Sequence, residues 1–200
     1  MEERVSFQSQ AYLLEGLLNR GSGEDGIVIA HPHPLYGGDM YNTVVESIAE
    51  IYQSKGYSTL RFNFRSVGNS QGLYAKGVGE RNDTKAAVGY LKELGIKTPD
   101  LGGYSFGAWV NAFAAQQDQT IRSTIMVSPP VAVIDFSSIG SIPSLKLVVS
   151  GSRDEFAPGD QIKEMLPGLN GSAHLEIIPG ADHFYGGHLE ALKSIIAAYG

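Results

Sequence analysis

Short apolar runs alternate with amphipathic stretches along nearly the whole chain, and the period of the apolar positions separates the two kinds of element. Residues 27–30 are apolar without interruption, the pattern of a strand buried on both faces. Residues 58–64, 100–104, 122–127, 145–150 and 174–178 read as further strands. The run at 122–127 stops at Ser128-Pro129-Pro130, since proline cannot supply a ladder donor. Between the strands lie helical periodicities. One opens at Asn42 or Thr43, carries Val44, Val45, Ile48, Ile51 and Tyr52, and closes at Gly56. A second covers 79–94 and a third 106–116, where Ala108, Trp109, Ala112, Phe113 and Ala115 make an apolar face. A short helix over 161–166 ends before Pro167, and a last one carries Leu189, Leu192, Ile195, Ile196 and Tyr199. Near the start, 4–9 and 12–19 read as antiparallel edge strands, followed by a turn-rich segment at 21–26. Parallel strands need crossovers, so this alternation predicts one α/β domain over 1–200, its mostly parallel sheet covered by helices on both faces.

Composition narrows the functional classes. A formal net charge of −6 without any basic run lacks the electrostatic footprint of a nucleic-acid binder. No segment approaches the ~18 apolar residues of a membrane span, and the opening MEERVSFQSQ has no signal-peptide core, so a cytoplasmic protein with no membrane partner is expected. The absence of cysteine excludes disulfides, thiolate metal sites and a cysteine nucleophile.

Candidate chemistry centres on Gly103-Tyr104-Ser105-Phe106-Gly107, a GxSxG pentapeptide at a strand-to-helix junction. Such a turn lifts a serine hydroxyl above the sheet edge and needs small residues on both sides. A serine hydroxyl is a weak nucleophile, so an imidazole must take its proton and a carboxylate must orient that imidazole. Ser105, Asp154 and His183 supply these types, each just beyond a separate strand, at the end of the sheet where ligands gather. Asp135 is the rival carboxylate, but it lies well past its strand, whereas Asp154 follows its own directly. His174 and His188 read as surface or capping residues. His31 and His33 lack companions for a metal site; the expectation is that they anchor their loop, and no metal or cofactor is expected.

The oxyanion of an acyl-transfer intermediate needs two N–H donors, one of them on Phe106. The second must come from His33, Leu35 or Tyr36, because Pro32 and Pro34 have no N–H; Leu35 is the expected donor. Tyr36, Phe156 and Phe184, together with Leu35, Phe106 and Tyr185, are the expected substrate walls. Arg65 is expected to anchor its loop.

Taken together, AHPHPLYGG, FNFRSVGNSQG, GGYSFGAW, GSRDEFAP and GADHFYGG resemble the small, uncapped bacterial α/β-hydrolases that are cousins of dienelactone hydrolase. That enzyme uses a cysteine nucleophile, so its lactone substrate does not transfer to a serine chain. Ser66 stands where these relatives usually have glycine. The resemblance implies an α/β-hydrolase fold without a cap and a serine hydrolase of small carboxylic esters. Acyl transfer or peptide cleavage by the same triad, and a binding protein on the same fold, are the alternatives. The one macromolecular partner left open is a second copy of the chain.

Overall fold

The computed structural model describes residues 1–199. Eight strands form one sheet in the order β1-β2-β4-β3-β5-β6-β7-β8. They are β1 (Glu3–Ser9), β2 (Tyr12–Asn19), β3 (Gly26–Ala30), β4 (Ser58–Phe62), β5 (Asp100–Tyr104), β6 (Thr124–Val127), β7 (Leu145–Gly151) and β8 (His174–Ile178). Only β2 runs against its neighbours; every pair from β4 to β8 is parallel. The helices are α1 (Thr43–Ser54), α2 (Val78–Glu93), α3 (Phe106–Gln117), α4 (Gly159–Asn170) and α5 (Leu189–Tyr199). This is the uncapped α/β-hydrolase architecture expected from the sequence, with the antiparallel pair at one edge.

The uninterrupted apolar strands divide their side chains between two cores, because alternate residues point to opposite faces. Ile27 and Ile29 pack with Val44, Ile48 and Tyr52 of α1 and with Leu192 and Ile196 of α5. Val28 and Ala30 face the other way, toward Leu91 of α2 and Val110 of α3. The same split runs through β7, where Leu147 and Val149 join the first core and Val148 the second.

Local chemistry sets the helix ends. Asn42 caps α1 by accepting the Val44 N–H at 3.0 Å, and Gly56 just beyond its end takes φ +82°. Helix α4 departs from expectation: it starts earlier and continues past Pro167 to Asn170. Its last turn is held from outside, by burial of Leu169 and by the Asn170 amide donating to the carbonyls of Pro143 and Leu145 at 3.2 and 3.0 Å. These contacts outweigh the one helical donor that proline removes. Between β6 and β7, residues 128–144 form turns with no helix, so nothing there covers the carboxyl end of the sheet.

Candidate active site

Ser105 occupies the turn between β5 and α3 with φ +54° and ψ −120°, a strained conformation for a residue with a β-carbon. Its neighbours explain how the chain tolerates the corner. A β-carbon on Gly103 would lie 2.6 Å from the Ala108 nitrogen, and one on Gly107 would run into the carbonyl oxygens of Ala30 and His31. The strand ends of β3 and β5 thus meet the first turn of α3 with no room for side chains. That turn leaves the Phe106 N–H without a helical acceptor.

Side chains from three strand ends converge here. Ser105 Oγ lies 3.0 Å from His183 Nε2, and His183 Nδ1 lies 2.9 and 3.0 Å from the two oxygens of Asp154. The three residues are nearly buried, Ser105 retaining 7% of its exposure. Asp154 also accepts the backbone N–H groups of Phe156 at 3.0 Å and Ala157 at 2.9 Å, so its turn orients the carboxylate. Burial works to raise its pKa, but hydrogen bonds from His183, Ser128 and Ala157 outweigh burial and hold the carboxyl below its ordinary value. The Tyr104 hydroxyl fixes the other partner by donating to the His183 carbonyl at 2.7 Å. Asp135 takes no part in this chain; its oxygens accept from the Ser137 N–H and hydroxyl, both at 2.8 Å.

The loop after β3 is built around two imidazoles. His31 is fully buried, its Nδ1 2.6 Å from the Pro32 carbonyl and its Nε2 accepting the Phe64 N–H at 3.0 Å. Those bonds fix the Nδ1-protonated tautomer, and burial pushes its pKa down to about 4. His33 caps a 3-10 turn at Pro34–Tyr36 by accepting the Leu35 N–H at 3.2 Å through Nδ1. Its Nε2 lies 2.9 Å from the Tyr74 hydroxyl. Both histidines therefore anchor the loop.

This geometry corrects the expectation for Leu35. Its N–H is committed to the His33 ring, and its side chain is 65% exposed. The Tyr36 N–H is likewise taken, by the His33 carbonyl at 3.1 Å. Of the three amides the sequence offered, only that of His33 has no acceptor among the described residues. The elbow packs directly on this loop, since the His33 and Phe106 rings have centroids 4.8 Å apart.

Above Ser105 opens a cleft of about 820 Å³. Of the wall residues named from the sequence, Tyr36, Phe106, Phe156 and Phe184 line it, while Leu35 and Tyr185 do not. Tyr185 is fully buried behind Asp154, its hydroxyl 2.7 Å from Ser128 Oγ. Sequence reasoning missed Tyr74, Trp109, Val133 and Ile134, which complete the apolar wall. Trp109 was legible in principle: it stands four residues after Ser105 on α3, hence on the same helix face. Among the described residues no cluster of His, Cys, Asp or Glu could hold a metal ion, and no helix is long and apolar enough to cross a membrane.

No family model matches the chain. It is 36% identical over 182 residues to the uncharacterized protein RP471 of Rickettsia prowazekii, covering 86% of this chain and 76% of that protein. Among solved structures it is similar to an α/β serine hydrolase homologue from Coxiella burnetii, with 36% identity, a TM-score of 0.91 and coverage of 98% and 96% of the two chains. It is also similar to XC6422 of Xanthomonas campestris, described as an α/β serine hydrolase without lid, with 27% identity, a TM-score of 0.90 and coverage of 98% and 92%.

Proposed function

Since the chain belongs to the α/β serine hydrolases, we propose that it hydrolyses small carboxylic esters through an acyl-enzyme on Ser105. The observation that carries this reading is the continuous hydrogen-bonded chain Ser105, His183, Asp154 at the floor of an open apolar cleft. His183 Nε2 takes the hydroxyl proton as Oγ attacks the ester carbonyl. The imidazolium then returns that proton to the departing alkoxide, leaving the acyl group on Oγ. Water repeats the sequence: His183 removes its proton, hydroxide adds to the acyl carbonyl, and Ser105 leaves with the proton given back. Asp154 stays ionised throughout and holds the ring with Nε2 toward serine. The negative charge on the carbonyl oxygen in both intermediates falls to the N–H groups of Phe106 and His33, supported by the positive end of α3.

An ester is favoured over a peptide by the topology. Extended peptides are commonly held by pairing with an exposed strand edge. Here β5 lies between β3 and β6, and both of these are paired on both sides, so no free edge borders the serine. The test is steady-state hydrolysis of matched aryl esters and anilides by wild type and Ser105→Ala. Ester turnover that falls by several powers of ten in the variant, with anilides poor throughout, is the expected result. Wild-type turnover retained by Ser105→Ala would overturn the assignment.

A further inference from the structure

The apolar wall of the cleft ends at a cation that the reaction itself does not use. Lys76 lines the cleft, and its ammonium has no hydrogen bond or ion pair among the described residues. Its side chain is exposed, while the backbone that carries it is fixed in place. The backbone there has φ +51°, in the left-handed region, and Gly77 follows at +87°. The completely buried Glu80 enforces this bend, one oxygen accepting the Ala75 N–H at 2.8 Å and the other the Gly77 N–H at 2.7 Å. Gly77 is also where the six-membered ring of Trp109 rests, so closely that a β-carbon would collide with it. A left-handed backbone, a buried carboxylate and a packed indole therefore combine to fix the main chain from which Lys76 projects at the cleft.

The path from Ser105 to that lysine is aromatic. Phe106 and Trp109 have ring centroids 5.6 Å apart, and Trp109 leads on to Gly77. Trp109 lies four positions after Ser105, a rise of about 6 Å along the helix axis. Behind the indole stands a second cation with no carboxylate partner, Arg81, whose guanidinium lies 5.1 Å from the Trp109 ring and 3.3 Å from that of Phe113. The acidic counterpart in the cleft is at the other end of the indole. There the Trp109 ring N–H donates to the Asp135 carbonyl at 3.0 Å, and Ser137 occupies the Asp135 carboxylate.

We propose that the substrate is an anionic ester, whose carboxylate pairs with Lys76 while an apolar spacer lies along Phe106 and Trp109 and the ester carbonyl reaches Ser105. The chemical class is the half-ester of a dicarboxylic acid, its spacer a short alkyl chain or one aromatic ring. This rests on the ester-hydrolase reading above, and Lys76 acts in it as a specificity residue. An ion pair open to solvent contributes modestly, so the preference should be about fivefold in kcat/KM. It should shrink as salt rises from about 0.02 to 0.5 M, where screening shortens the reach of the charge.

The experiment compares aryl half-esters of glutarate and terephthalate with their methyl-capped neutral analogues, using wild type, Lys76→Met, Lys76→Glu and the remote control Lys146→Met. The readout is the ratio of kcat/KM for the anionic over the neutral member of each pair. A ratio near five in wild type and Lys146→Met, near one in Lys76→Met and below one in Lys76→Glu is the expected pattern. A wild-type ratio at or below one, or a preference that survives Lys76→Glu, overturns the inference even though neutral esters are cleaved. Failure of the underlying reading looks different: no ester of either charge is turned over, and the inference falls with it.

Discussion

At the residue scale, the roles of the two candidate carboxylates are separable because their surroundings differ. Asp154 is buried against His183 Nδ1 and fed by two backbone N–H groups, whereas Asp135 is exposed and satisfied by Ser137. Asp154→Asn should lower kcat by roughly 10⁴-fold, because an amide that donates to Nδ1 selects the wrong tautomer. Asp135→Asn should show no comparable loss, and steady-state kinetics of the two purified variants checks the pair. The order of Ser105, Asp154 and His183 along the chain was enough to nominate these residues, since each follows a strand. The second oxyanion donor was not legible in that way. Three amides stood within a few residues of each other, and the choice depended on which ones the His33 ring and carbonyl had already engaged. Lys76 carried no signal at all in the sequence, because only the fold brings the loop before α2 onto α3.

At the scale of elements, the elbow shows how closely the backbone is tied to the chemistry. Gly107 packs against the Ala30 and His31 carbonyls, at the start of the loop whose His33 amide is proposed to bind the oxyanion. Gly107→Ala should therefore cost several kcal/mol, in the range of severe core substitutions. Any folded fraction should turn over esters more slowly, because the added methyl pushes that loop away from Phe106. Thermal unfolding together with kinetics on the soluble fraction tests both consequences. Strand and helix periodicities were readable because their apolar faces are long and regular. The end of α4 was not, since its last turn is stabilised by Leu169 and Asn170 reaching distant parts of the chain. Helical spacing puts Trp109 on the apolar face of α3, and its ring forms the cleft wall; periodicity identifies an apolar face without saying whether protein or ligand covers it.

Whole-molecule behaviour follows from burial and from the bare carboxyl end of the sheet. His31 is neutral in the fold with a pKa near 4, against an ordinary value of 6.5. Between those values the unfolded chain binds a proton that the native state excludes, so stability must fall as pH falls from about 6.5 to 4. The loss attributable to this residue is on the order of 3 kcal/mol across the window. Urea unfolding at pH 7 and pH 4.5 should reveal it, with a shallower dependence in a folded His31→Gln variant. The segment between β6 and β7 contains no helix that could act as a lid. Ester hydrolysis should accordingly show no rate jump when substrate crosses its micelle concentration; such a jump would mean that something else closes the cleft. The apolar wall is larger than the sequence suggested, because Tyr74, Trp109, Val133 and Ile134 come from three separate segments that the fold assembles.

The proposed activation of the Ser105 hydroxyl by its surroundings is measured most directly by covalent capture, which presupposes no substrate. A fluorophosphonate should add once per chain, on the peptide that contains Ser105. Intact-mass and peptide-mass analysis should then find no adduct on Ser105→Ala and much slower labelling of His183→Ala. A folded wild-type chain that stays unlabelled, or one labelled equally well after Ser105→Ala, would mean that Ser105 is not an activated nucleophile.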